Sequence, residues 1–262
     1  MAANDPGQPP APPSSAPGLI GSFTRDLPPP ASALAIGAHP DDVEFGAGGL
    51  LAKWAAAGCV VHHLICTDGS KGTWDVDADV TALATRRQHE QRTAARVLSG
   101  ASAGEVRFLG RLDGELTNDL ATRSEVARVI RELRPETVLA HDPWKRYRLH
   151  PDHRESGLLA CDGIVAARDP HFFPEHGIEH HRPERLLLFE ADEPNHLEDV
   201  SATVDAKLAA LHAHESQFES TMHAHDADEL AAFDARIRDR LAELGRPHAV
   251  AAAEIFHLMT DL

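Results

Sequence analysis

From Ala33 onward, short apolar runs alternate with longer segments in which apolar positions recur at helical spacing. Residues 33–38, 59–66, 105–109, 137–140 and 185–189 read as strands, and residues 45–57, 81–98, 120–133 and 151–167 as the helices between them. Leu50, Leu51 and Trp54 form an apolar face on the first helix, and Val126, Val129, Ile130 and Leu133 on the third. Strand and helix in alternation require crossover connections, so the pattern predicts an α/β fold with a mainly parallel sheet flanked by helices in a single domain. Two further helical stretches, 204–214 and 227–244, are rich in Ala, His and acids, and periodicity alone does not place them.

Half of the 18 prolines fall within residues 1–30, interleaved with Ala, Ser and Gly. That composition predicts a disordered leader, with the folded domain spanning 31–262. The leader has no basic start followed by an apolar core, so it does not read as a secretory signal.

Charge narrows the functional classes. With 25 Lys+Arg against 41 Asp+Glu, the net charge of −16 repels phosphate backbones, which argues against a nucleic-acid partner. No apolar run approaches the roughly 18 residues of a spanning helix, which argues against a membrane partner. Cys59, Cys66 and Cys161 form no CxxC and read as buried thiols of a reducing compartment, hence a cytoplasmic protein.

Two tetrapeptides carry the chemistry: His39-Pro40-Asp41-Asp42 after the first strand and His150-Pro151-Asp152-His153 after the fourth. Proline suits a first helical turn, and residues three apart there share a face, so His39 converges with Asp42 and His150 with His153. If the first and fourth strands are neighbours where the winding of the sheet reverses, both motifs meet in one crevice. Two imidazoles and a carboxylate with an open position suit Zn2+, with His39, Asp42 and His153 as ligands. Asp41 then lies beside the ion as a general base, and a protonated His150 can stabilise an oxyanion. Each tetrapeptide alone is also an ordinary helix start; the pair, each at a strand end, outweighs that reading.

Ala38-His39-Pro40-Asp41-Asp42 with Glu44 and Gly48-Gly49, followed by His150-Pro151-Asp152-His153, resembles the PIG-L/LmbE family of zinc-dependent N-acetylglucosaminyl de-N-acetylases. Thr67-Asp68-Gly69, Arg87 with Glu90, Asp113-Gly114, and Lys207 with His214, Ser216 and Gln217 agree with it. The resemblance runs from about residue 33 to about residue 217. It implies a Rossmann-like sheet and removal of an N-acetyl or N-acyl group from a glucosamine-containing small molecule. It makes His39, Asp42 and His153 the zinc ligands, Asp41 the base, His150 the electrophilic helper, and Arg87 and Asp113 substrate contacts. Some family members carry a tyrosine two residues before the first histidine of the second motif; here Arg148 stands there and Tyr147 one position earlier. Hydrolysis of a non-sugar amide or phosphoester on the same metal, and a non-catalytic metal- or sugar-binding module, remain the alternatives. A homo-oligomer is left open.

Overall fold

Period-two burial in the central strands makes the sheet two-faced. Ala33, Ala35, Leu187 and Phe189 enter one apolar cluster, while Leu34, Ile36, Leu186 and Leu188 enter the other. A sheet buried on both sides needs helices on both sides. A computed structural model describes residues 23–262. Along the chain come β1 (Thr24–Arg25), β2 (Ser32–Gly37), α1 (Asp42–Ala56), β3 (Val60–Thr67), α2 (Val80–Ser99), β4 (Ala103–Arg111), α3 (Leu120–Leu133) and β5 (Thr137–His141). Then follow α4 (Pro151–Arg168), β6 (Arg185–Phe189), β7 (His196–Asp199), α5 (Val204–His212), α6 (Ala227–Gly245) and β8 (Ala253–Met259).

The sheet order is β1-β7-β8-β6-β5-β2-β3-β4. β2 pairs in parallel with both β3 and β5, so the chain leaves β2 in one direction and later returns on its other side. This is the predicted winding reversal between the first and fourth strands, and α1 and α4 start at its carboxyl edge. Helix starts are set locally: the side chains of Asp79, Asp119 and Asp226 accept backbone N–H groups of the first turns of α2, α3 and α6. Pro151 opens α4, where its missing N–H costs nothing. α3 packs on α4 over one face, and α1, α2 and α5 pack together over the other.

Three strands escape the sequence pattern. β8 is antiparallel to β6 and β7 and lies between them, which makes the sheet mixed at that edge. β1 pairs with β7 inside the stretch assigned to the leader, so ordered structure begins before residue 31. The rest of that leader, residues 1–22, lies outside the described residues. Of the two unplaced helical stretches, α5 packs on α1 and α2, and α6 on β8.

Candidate active site

Both tetrapeptides reach the same crevice. His39 sits in the turn after β2, where the backbone N–H of His39 donates to Oδ2 of Asp42 at 2.7 Å. Nδ1 of His39 is 3.3 Å from Oδ2 of Asp42, and Nε2 of His153, in the first turn of α4, is 3.3 Å from Oδ1 of the same carboxylate. Ring nitrogens of His39, His150 and His153 lie within 4.8 Å of one another. Asp42, His141 and His153 form a second group whose ligand atoms lie within 4.8 Å of one another, and ligand atoms about 2.0–2.1 Å from a tetrahedral zinc stand roughly 3.3 Å apart, the separation of His39 and of His153 from Asp42. On its far side, Nε2 of His39 is 3.2 Å from both Oδ1 of Asp113 and Oδ2 of Asp152. A carboxylate behind a ligating imidazole fixes its tautomer. Asp152 is itself held by the N–H groups of Gly114 (2.6 Å) and Leu116 (3.2 Å).

Two acidic neighbours have opposite environments. Asp42 is surrounded by imidazoles, and although burial opposes its charge, His153 and His141 hold its carboxyl well below the usual range. Asp41 lines the same cleft but has Arg87 as its side-chain partner. Burial pushes its carboxyl up to about 6, although the Arg87 guanidinium, with Nη2 3.2 Å from Oδ2, pulls the other way. The Asp41 backbone is left-handed at φ 96°, an uncommon conformation for a non-glycine residue. It is pinned there by its N–H donating to Oε1 of Gln91 at 3.0 Å. Gln91 in turn donates to the fully buried Glu44 (2.7 Å), whose other oxygen is 3.4 Å from Nε2 of buried His214.

Arg87 lines the cleft, but its guanidinium is buried and donates to Gly69 O (2.9 Å), Pro40 O (2.5 Å) and Asp41, so it holds the Asp41 carboxylate and the loop after β3, with Nε left without a partner. A side chain at Gly72 would collide with that guanidinium, which explains the glycine. Glu90 is not its partner: Arg86 and Ser216 take that carboxylate. Asp113 lines the cleft, and is held by His39 and the backbone N–H of Lys71 at 3.0 Å.

His150 is exposed at the mouth, and its pKa lies below the ordinary imidazole value because of partial burial and the neighbouring His39 and His153. That direction works against the protonated form expected from the sequence. Tyr147 is 95% exposed, so nothing packs it toward the site.

The sequence reading missed His141, Glu190 and the role of Arg148. His141, the last residue of β5, places Nε2 3.1 Å from Oδ2 of Asp42 without the alignment of a hydrogen bond, and stacks on His153 at 4.2 Å between ring centroids. Nδ1 of His141 is 3.3 Å from Oε2 of Glu190, and Nη1 of Arg148 reaches Glu190 at 2.6 Å and Nδ1 of His153 at 2.8 Å. A histidine closing the strand at the winding reversal was the one local signal available. Together these groups line a cleft of about 470 Å³ that also admits Lys71, Gly114 and Gln217.

The family described as GlcNAc-PI de-N-acetylase, PIG-L, matches residues 34–162. The diacetylchitobiose deacetylase of Thermococcus kodakarensis is 36% identical over 71% of this chain and 69% of its own. The 1D-myo-inositol 2-acetamido-2-deoxy-alpha-D-glucopyranoside deacetylase of Rhodococcus opacus is 33% identical over 55% of this chain and 56% of its own. The solved structure of N,N'-diacetylchitobiose deacetylase from Pyrococcus horikoshii, complexed with its inhibitor MPG, superposes with a TM-score of 0.79 at 28% identity, covering 88% of this chain and 84% of that one. With its two motifs joined at one winding reversal and relatives of this likeness, the chain belongs to the PIG-L/LmbE family of N-acetylglucosamine de-N-acetylases.

Proposed function

We propose that this protein is a zinc-dependent de-N-acetylase that hydrolyses the N-acetyl or N-acyl amide of a glucosamine-containing small molecule. One observation carries the reading: two adjacent carboxylates line one cleft with different partners, Asp42 at 3.1–3.3 Å from His39, His141 and His153, and Asp41 at 3.2 Å from the Arg87 guanidinium. A mere cation site has no use for the second. His39, Asp42 and His153 would hold the ion. Bound there, it supplies Lewis acidity that polarises the amide carbonyl and makes water acidic enough to attack near neutral pH.

The protein groups do the rest. Asp41, ionised and fixed by Arg87 and Gln91, accepts a proton at its carboxylate as the water oxygen bonds to the carbonyl carbon. His150, exposed at the mouth, donates an N–H to the developing oxyanion. The amino termini of α1 and α4 add positive potential at the same spot. Asp41 then returns its proton to the amide nitrogen, the C–N bond breaks, and acetate and a free amine leave. Asp113 and Lys71 stand in the cleft for sugar hydroxyls. The relatives' named substrates, diacetylchitobiose and a glucosamine-inositol, support an amino-sugar conjugate as the class.

We place the protein in a reducing compartment such as the cytoplasm, on the strength of three free thiols whose pKa values burial pushes up. Among the described residues no helix is long and apolar enough to cross a membrane. The test is an assay of free amine released from diacetylchitobiose and related conjugates by metal-depleted and zinc-restored protein. Turnover that follows zinc supports the reading, and no amine release from any conjugate with zinc bound overturns it.

A further inference from the structure

A second cavity, of about 260 Å³, adjoins the cleft: Phe45 and Glu190 line both. Most of its remaining lining comes from α6 and β8, including Ile237, Leu241 and Leu244, with Gly46 of α1 and Lys207 of α5 closing it. Most charges around it are already matched. Lys207 and Glu254 form a buried ion pair at 2.6 Å, and Glu190 is held by Arg148 and His141. What it offers a ligand is therefore mainly apolar surface, while Lys145 and Arg240 can keep their charged ends in water at the mouth.

The sheet order says which part of a substrate meets it. The cation-binding side chains stand at the junction of β5 and β2. Asp113 and Lys71, the polar groups suited to sugar hydroxyls, follow β4 and β3 on one side of that junction. The apolar cavity lies by the ends of β6 and β8 on the other. A secondary amide is planar and trans, so its acyl and amine substituents leave the carbonyl in opposite directions. With the sugar on the polar side, the acyl group is directed to the apolar one.

Resting on the proposed activity, we propose that this cavity is an acyl pocket and that the protein hydrolyses N-acyl glucosamines carrying short linear chains longer than acetyl. At about 30 Å³ for a water-sized group, the cavity has room for several carbons. Acetate fills little of it. Each additional methylene taken from water should raise kcat/KM roughly fourfold until the cavity is full.

The experiment uses the zinc-loaded full chain and a series of N-acetyl, N-butyryl, N-hexanoyl and N-decanoyl glucosamine, with free amine as readout. The expected result is a rise from acetyl to hexanoyl and a fall at decanoyl, which exceeds the space. Ile237→Trp fills the cavity from half-buried α6 and should lower the hexanoyl-to-acetyl ratio of kcat/KM at least tenfold. Leu244→Asp makes the same wall polar and should lower it likewise, so that a fold defect in one variant leaves the other as the test. Acetyl as the best substrate, with longer chains refused, overturns the acyl pocket and leaves the de-N-acetylase reading standing. No cleavage of any member, nor of diacetylchitobiose run beside them, removes that reading and this inference with it. An unchanged hexanoyl-to-acetyl ratio in both folded variants also overturns the pocket.

Discussion

Nη1 of Arg148 stands 2.8 Å from Nδ1 of His153, a donor aimed at the nitrogen on the far side of a ring whose Nε2 faces Asp42. A guanidinium has no acceptor, so this contact needs a lone pair on Nδ1 and leaves the proton on Nε2. A cation bound through Nε2 needs the opposite tautomer. Arg148 and the cation therefore compete for His153, with Glu190, 2.6 Å from the same guanidinium nitrogen, ready to keep Arg148 aside.

Arg148→Met should accordingly raise zinc affinity about tenfold, within the range that groups behind a metal ligand usually command. Competition against a chromogenic chelator measures it. A weaker affinity in the variant would mean that Arg148 supports the ligand set instead.

Removing a ligand has the contrary effect. Purified protein should hold about one zinc, and His153→Ala and Asp42→Ala should each lose most of it. Elemental analysis of the dialysed variants decides the point, and full occupancy in either would strike that residue from the set.

Asp41 works only as a carboxylate, and burial raises its pKa to about 6. Its ionised fraction is nearly complete a unit above that value and falls about tenfold per pH unit well below it, so kcat/KM should rise through about pH 6 and level off. Asp41→Asn should cut turnover roughly 100-fold or more with zinc content unchanged. Because the His150 pKa lies below the ordinary value, His150→Ala should reduce kcat without altering any loss of activity above pH 8. An alkaline limb that vanishes in this variant would restore His150 as a cation.

Gln91 holds the left-handed turn that aims the base, so Gln91→Leu should lower kcat about tenfold while KM and zinc content stay near normal. It also strips a hydrogen bond from buried Glu44, at about 1–3 kcal/mol of stability. Loss of stability with kcat intact would make Gln91 a purely structural residue.

Lys207 and Glu254 form a buried pair, with Glu254 also accepting the N–H groups of Gly49 and Leu50. Lys207→Met leaves that carboxylate without its cation and should cost about 3–5 kcal/mol in chemical denaturation. The double change with Glu254→Gln should recover part of the loss.

Residues close in the chain were legible in the sequence because one local pattern determines both their structure and their burial. The alternation of Ala33 and Ala35 with Leu34 and Ile36 implied a strand buried on both faces, and the succession of strands and helices implied a mainly parallel sheet. His39 with Asp42, and His150 with His153, could be paired because a helical turn brings positions three apart together. Tertiary structure alone decided the rest. β8 carries no local sign that it inserts antiparallel between β6 and β7, since its partners are chosen by sheet edges formed far away in sequence. His141 meets Glu190 across 49 positions, and Asp41 meets Gln91 across 50, distances that only the sheet register and the docking of α2 close. Arg87, legible as a helix residue three positions before Glu90, turned instead to Asp41 because α2 buries that side chain against the loop after β3. Spacing along a chain determines which groups share a turn; the contacts that set their charge and aim come from packing between elements, where the low-dielectric surroundings of each carboxylate are made.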